Sequence, residues 1–448
     1  SVIIMSLTFY PRAPSTLFYP YLCPNVTFFR CRSINSPLIT MSQKDIKTVE
    51  SDSNINSIDD ETIVITAVYN NTNKLCEIQL HNLKFLPRDT MQIIGVIAPY
   101  FTQLTKLSIK RCQINGYTIY EMSKFLPLTS ITEICLDESP LRGSNYKQLL
   151  AKPCRITSLS LCRCQINDDH CEQIASMLHY SEPAEATLTT LNLSSNHITD
   201  VGAKSIGEAL RTNRHLRYLN LADNRIGDDG ADRILHTLID FTLSDDEILG
   251  KHQNYFEYLK LKRETYLKCR REWDSKSVDN LTLNTSTESR PRIKKSTQKA
   301  SKPKEVINVV AMDDASVHSR AENITNEMIG QFSHPFTAYF TNTIDGCSHC
   351  IGNMVLCYLN LSYNSLSYLT VKKLCSVLIY QNSHRKVGNT GLLKIVIDGN
   401  PAPTYCDELE DIGYLLQKNV ISFSAKYISD RTSRKSRVGM ISVIQEKQ

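Results

Sequence analysis

No window of the 448-residue sequence holds about 18 uninterrupted apolar residues, so no membrane-spanning helix is expected. A P-loop, an HExxH pair and a GxSxG elbow are also missing, which leaves phosphate cradling, zinc proteolysis and serine-nucleophile chemistry without their usual residues. The 15 cysteines are odd in number and lack the even, dense framework of small secreted domains, which points to a reducing compartment. Cys347-Ser348-His349-Cys350 is half of a zinc knuckle, with Cys357 and His334 at a distance, but the second ligand pair is missing. Asp137, Glu138 and Asp223 give no basis for an acid and base pair. No catalytic residue, metal or cofactor is therefore assigned.

What is present is a pattern, L-x-x-L-x-L-x-x-(N/C)-x-(I/L), clearest at Leu188, Leu191, Leu193, Asn196 and Ile198 and again at Leu216, Leu219, Leu221, Asn224 and Ile226. Its starts fall at Leu75, Leu104, Ile131, Ile156, Leu188, Leu216, Leu356 and Leu392, with spacings of 29, 27, 25, 32, 28, 140 and 36. Self-similarity at this period predicts stacked supersecondary units, each unable to bury its apolar face alone. Alternation in Leu191-Asn192-Leu193 sends both leucines inward and the asparagine outward. The next slot is filled by Asn196, Asn224, Asn364 and Asn400, whose amides can satisfy backbone groups in the stacked turns, and by Cys112 and Cys164 as small hydrophobic substitutes. Behind each strand the apolar spacing turns helical, as at Ile206, Ala209 and Leu210, with aspartates at the helix start.

Repeats of about 28 residues with a full helix resemble the ribonuclease-inhibitor-like class of leucine-rich repeats. That resemblance implies an α/β solenoid, a curved horseshoe with a parallel β concave face and convex helices, and partner binding on the curved surface. The concave face is low in aromatics. Tyr218, Asn220, Tyr358 and Asn360 on the coils flanking the long gap are candidate partner-binding residues, with basic Lys110, Arg111 and Arg163 nearer the N terminus. Asn192-Leu193-Ser194 and Asn360-Leu361-Ser362 are glycosylation sequons on this face, where a glycan would crowd it, which again favours the cytoplasm.

The 140-residue interval holds an insertion of about 112 residues beyond one repeat. Ser244 and Glu247 form a capping box before a helix at about 245–273 with apolar residues near heptad spacing. Beyond it lies a Lys-rich stretch. From 251 to 304 there are 15 Lys and Arg against 6 Asp and Glu, a net +9, so the rest of the chain carries about −4. The arm at 290–304 is read as disordered and suited to an acidic partner; having no aromatics, it predicts no specific nucleic-acid binding. The organisation is read as a disordered segment at 1–60, repeats at 61–240, the insertion at 241–352, a second repeat block and cap at 353–418, and a basic tail at 419–448. Pro11, Pro14, Pro20, Pro24, Arg12 and Arg30 break any signal-peptide core in the first segment, and Met41 reads as a more natural start than Ser1.

The run from Leu191-Asn192-Leu193-Ser194-Ser195-Asn196-His197-Ile198 through Asp240-Phe241-Thr242-Leu243-Ser244, with Leu359-Asn360-Leu361 and Leu392-Leu393-Lys394-Ile395, is similar to the leucine-rich repeat-containing protein 71 family. That likeness implies a non-enzymatic interaction scaffold of ciliary or axonemal setting, with protein partners and no cofactor. The competing expectation is a regulator of a small GTPase, which shares the repeat class; such regulators carry an acidic tail, whereas Lys426, Arg431, Arg434, Lys435 and Arg437 make this one basic.

Overall fold

The computed structural model describes residues 2–7, 29–33, 63–141, 145–285, 314–384 and 390–422. They fall into two compact units, Ser1–Phe241 with His349–Gln448, and Thr242–Ser348.

The first unit is a solenoid. Eleven strands form one sheet in the order β14-β13-β9-β8-β7-β6-β5-β4-β3-β1-β2. Its parallel part runs from β4 (Leu75–His81) through β5 (Lys106–Lys110), β6 (Glu133–Cys135), β7 (Ser158–Ser160), β8 (Thr190–Asn192) and β9 (Tyr218–Asn220) to β13 (Tyr358–Asn360) and β14 (Lys394–Val396). Most of these strands are three residues long, an x-L-x unit that ends just before the second leucine of L-x-L. Both leucines, such as Leu191 and Leu193 or Leu359 and Leu361, are fully buried. Burying each such side chain stabilises by roughly 1.5–3 kcal/mol, and the coils on either side supply the partner atoms. β9 and β13 pair directly, Tyr218 with Tyr358, Leu219 with Leu359 and Asn220 with Asn360. The sheet is continuous although about 140 residues separate the two strands in sequence.

At the N-terminal end an antiparallel strand β3 (Ile63–Tyr69) covers β4, and β1 (Val2–Leu7) pairs with β3 and with β2 (Phe29–Ser33). Of the segment 1–60 expected to be disordered, these two stretches are therefore strand, and the remainder lies outside the described residues. The Asn70 side chain accepts from Thr72 N and Lys74 N and closes the β3–β4 turn, an Asx arrangement that ends one strand and starts the next.

Helices line the other side: α1 (Arg88–Ile97), α2 (Gly116–Phe125), α3 (Lys147–Leu150), α4 (Asp168–Ser176), α5 (Asp200–Thr212), α6 (Asp228–His236), α9 (Tyr368–Ser383) and a last helix, α10, at 407–422. Asn115 and Asn167 cap α2 and α4 by accepting from the first free N–H groups. The 25-residue repeat leaves room for only one turn in α3, and Pro153 follows it. Each coil turns at the residue seven places after its start. There φ is positive at Asn82, Arg111, Glu138, Arg163, Ser195, Asp223, Tyr363 and Gly399. Only the last is glycine. A Cβ on Gly399 would sit 2.5 Å from the Tyr363 ring, so this coil needs the hydrogen.

The second unit holds the long helix α7 (Asp245–Thr285) and α8 (Asp314–Ile329). Ser244 Oγ accepts from Glu247 N and the Glu247 carboxylate accepts from Ser244 N, a reciprocal cap. The helix runs about a dozen residues beyond the expected 273, because neither Pro nor Gly interrupts the sequence until Pro291. Strands β10 (Phe241–Thr242), β11 (Thr341–Ile344) and β12 (Cys347–Cys350) mark the ends of the inserted segment. Leu243 N donates to the Ser348 carbonyl at 2.8 Å. The basic arm at 290–304 and the tail beyond residue 422 lie outside the described residues.

Candidate functional site

The turn slot singled out by the repeat pattern is a hydrogen-bonded ladder. Asn196 Nδ2 donates to the carbonyls of Leu161, Leu193 and Ser194, and Asn196 Oδ1 accepts from Cys164 N and Ile166 N. Asn224 repeats this toward Leu193, Leu221 and Ala222 and accepts from Ile198 N; Asn364 does so toward Leu221, Leu361 and Ser362 and accepts from Ile226 N. Asn400 closes the series on Leu361 and Ile397 while accepting from Asn364 N and Leu366 N. Each amide thus satisfies backbone groups of its own coil and of the coil before it. Cys112 and Cys164 occupy the slot with a thiol that donates to Lys110 O at 3.3 Å and to Leu136 O at 3.0 Å respectively. Burial pushes both thiols up in pKa, that of Cys164 to about 12, so they remain protonated donors.

Three further sets belong to this framework and escaped the pattern. Ser139 fills the slot in the coil starting at Ile131, accepting from Cys112 N and donating to Ile109 O. Asn213 and Asn353 sit three residues before their coil starts and are fully buried; Asn353 Nδ2 donates to Leu210 O and Asn213 O, joining the coil after the insertion to the coil before it. Asp168, Asp200 and Asp228, each opening one convex helix, cap the next helix. Asp168 accepts from Thr199 N, Thr199 Oγ1 and Gly202 N; Asp200 accepts from Gly227 N and Gly230 N; Asp228 accepts from Ser367 N, Ser367 Oγ and Thr370 Oγ1. A Cβ on Gly202 would lie 2.6 Å from Asp168 Oδ1, the reason for glycine there. The signal was legible in hindsight: the same Asp one residue into successive helices.

The candidate partner-binding residues divide into two groups. At the N-terminal end Arg111 Nε lies 2.9 Å from Glu138, Arg163 lies 3.9 Å from the same carboxylate, and Lys110 lies 4.0 Å from Asp137. Asp137 Oδ1 also accepts from Ser160 Oγ and Cys162 N. Three cations thus share two carboxylates, which offset most but not all of their charge. The hydrogen bond from Arg111 holds the Glu138 carboxyl below the usual carboxylate range. Glu77 behaves alike two coils earlier: burial opposes its charge, but bonds from Ser108 and Gln79 and the Lys106 ammonium at 3.4 Å outweigh it.

At the other end of the face the structure brings Tyr218 and Tyr358 together. Their rings stack at 4.0 Å with 4° between planes, and Lys394 Nζ lies 5.8 Å from the Tyr358 ring. Burial and the hydrogen bond to Tyr358 push the Tyr218 phenol up to about 12. Asn220 and Asn360, next along the strands, accept from Ala222 N and Ser362 N through their side-chain carbonyls. These two residues shape the strand ends as well as facing outward. Lys394 was not singled out from the sequence, although it stands at the same strand position as both tyrosines.

Elsewhere, Cys347 is exposed and Cys350 fully buried, as strand alternation requires of positions three apart. Among the described residues no group of three or more His, Cys, Asp or Glu side chains is placed to hold a metal ion. Beside the short α3 lies an open hollow of about 780 Å³ lined by Phe85, Arg88, Tyr117, Tyr120 and Gln148, with Arg88 stacked 3.3 Å from the Tyr117 ring. No helix among the described residues is long and apolar enough to cross a membrane.

Residues 186–207 and 212–235 match the family described as Leucine Rich repeat, the two coils with the most regular ladder. The human NACHT, LRR and PYD domains-containing protein 13 is 28% identical over 141 residues, 30% of this chain and 13% of that protein. The human NACHT, LRR and PYD domains-containing protein 2 is 29% identical over 113 residues, 24% of this chain and 10% of that protein. The chain thus matches about a tenth of the length of these relatives. Among solved structures, one titled Leiomodin-1 Actin-Binding Site 2 aligns with a TM-score of 0.33 and 12% identity over 65% of this chain and 99% of that one.

Proposed function

We propose that this leucine-rich-repeat solenoid is a non-enzymatic scaffold that binds a protein partner on its concave face, centred on Tyr218 and Tyr358. The observation that carries the reading is the stacked tyrosine pair. Two large rings, rigid because each braces the other, stand on adjacent strands of a face otherwise low in aromatics. Rigid aromatics lose little side-chain entropy on binding and dominate interface energetics. Lys394 adds one cation beside them, so a partner segment with an apolar or aromatic side chain next to a carboxylate fits the chemistry. The framework asparagines and thiols are occupied in holding coils together, which argues for recognition and against chemistry at those groups.

The setting proposed is the cytoplasm, with a ciliary or axonemal scaffold as the finer reading. Thiols such as Cys112 and Cys164 serve as buried ladder donors, and Asn192 Nδ2, the atom a glycan would take, is bonded to Ser160 Oγ. The arm at 290–304 is proposed to meet an acidic partner. The test is proximity labelling in ciliated cells with the intact chain and with Tyr218→Ala/Tyr358→Ala. Axonemal proteins that vanish in the double variant are the expected result. Labelling dominated by small GTPases, or unchanged by the variant, overturns the reading.

A further inference from the structure

We propose that α7 is a self-association element: two copies of this chain pair through it in antiparallel fashion about a twofold axis near Tyr258. The inference is independent of the concave face and rests on how α7 divides its surface. One side is used by α8 and the residues that follow it. Tyr258 Oη donates to Gly330 O at 3.0 Å, Tyr255 meets the Phe332 ring edge-on at 5.1 Å, Tyr266 contacts His318, and Cys269 is buried. Rotation by 100° per residue places a second stripe on another side of the helix: Leu249, Gln253, Phe256, Lys260, Arg263 and Leu267, spaced 4, 3, 4, 3 and 4. All six are exposed, Phe256 by 69% and Leu249 by 55%. Alternating four and three spacing is the register by which helices pair; here Leu249, Phe256 and Leu267 are its apolar positions and Gln253, Lys260 and Arg263 its polar ones, and the stripe has no partner among the described residues.

The stripe itself identifies its occupant, because it is complementary to its own reverse. An antiparallel copy centred on 258 sets Leu249 against Leu267, Gln253 against Arg263 and Phe256 against Lys260, each contact occurring twice by symmetry. The central layer then places an ammonium on an aromatic ring and its aliphatic stem against the ring edge. At the ends, Asp245 and Asp246 of one copy meet Arg271 and Lys268 of the other. A parallel, in-register pair would oppose Lys260 with Lys260, Arg263 with Arg263 and acid with acid, which like-charge repulsion disfavours. Charge and apolar pattern select the same orientation.

The experiment is sedimentation velocity of the full chain from about 1 to about 100 µM, the range expected for a surface this small. Wild type is expected to shift from monomer to dimer with concentration. Phe256→Lys, which sets lysine against Lys260 twice, is expected to weaken association by about tenfold or more, and Phe256→Lys/Lys260→Glu to restore it. Circular dichroism of each variant checks that the helix content is unchanged. A wild-type chain that stays monomeric throughout overturns the proposal and leaves the stripe to a helix of another protein. Association untouched by Phe256→Lys overturns it as well, and loss without recovery in the double variant overturns the antiparallel register.

Discussion

The coils before residue 165 and the coils after residue 188 use one turn slot in two ways. In the later coils the slot holds Asn196, Asn224, Asn364 and Asn400, and each amide donates to its own coil and to the preceding one and accepts from the preceding one. In the earlier coils it holds Cys112, Ser139 and Cys164, whose single S–H or O–H satisfies fewer backbone groups. The earlier coils instead carry ion pairs on their face, Glu77 with Lys106 and Glu138 with Arg111 and Arg163. Buried bonds between coils resist solvent and salt; exposed ion pairs do not. The C-terminal half is therefore the rigid platform and carries the stacked tyrosines, while the N-terminal half is held chiefly by its leucines.

The difference between the two halves is felt most when the amides are removed. Asn196→Ala strands the N–H groups of Cys164 and Ile166 and the Leu161 carbonyl, whereas Leu193 O keeps Asn224 Nδ2 and Ser194 O keeps Arg163 N; each buried orphan costs roughly 1–3 kcal/mol. Water enters part of the cavity, so the net loss expected in urea unfolding is about 4 kcal/mol. A loss below about 1 kcal/mol would show that the ladder is ornament and the leucines carry both halves.

Asp228→Ala is the next largest, at about 2 kcal/mol, because it uncaps α9 across the insertion. The pH dependence has a definite sign. Burial opposes the Asp228 charge, but the bonds from Ser367 and Thr370 outweigh it and its folded pKa lies below the ordinary value. A depressed folded pKa contributes stability that is fully present above the unfolded value of about 3.9 and lost as pH falls through the folded one. Acid unfolding monitored by circular dichroism should lose part of its steepness below about pH 4 in Asp228→Asn.

How much of this was legible follows from what each feature depends on. Leu191, Leu193 and Asn196 announce themselves because period and chemistry coincide, and the continuity of β9 with β13 follows from Tyr218-Leu219-Asn220 matching Tyr358-Leu359-Asn360. Ser139 was missed because a template written for Asn or Cys passes over serine, and Asn353 because its bonds go to Leu210 and Asn213, more than a hundred residues away. That Lys110, Arg111 and Arg163 stand on coils interrupted by Asp137 and Glu138 can be read from the repeat, but which cation meets which carboxylate needs the side-chain geometry. The antiparallel β3 has no repeat signature, since it closes the stack without belonging to it.

Two smaller effects sharpen the contrast. Cys164→Ala removes a donor to Leu136 O and some volume from a fully packed slot, and about 1–2 kcal/mol is expected, well under the asparagine. In the folded chain iodoacetamide should label Cys347, which is exposed, and spare Cys164 and Cys171, whose thiols burial pushes up to about 12. Rapid labelling of Cys164 at neutral pH would mean that the earlier coils open readily, a stronger asymmetry than static bonds imply.

The smallest effect is the one most easily mistaken for a large one. Arg111, Glu138 and Arg163 form the most conspicuous charged group of the earlier coils, all three in the left-handed turn position. Arg111 is well exposed, and solvent screens what its 2.9 Å contact gains, so Arg111→Ala should leave the urea midpoint nearly unchanged. The same site offers a counter-effect, since Arg111→Gly trades the ion pair for a residue at ease with φ of 54°. If the ion pair is worth as little as argued, the glycine variant should match or slightly exceed wild type in urea midpoint. A clear drop in either variant would mean that the charged row does for the earlier coils what the asparagines do for the later ones, and the division of the solenoid into a bonded half and a packed half would fail.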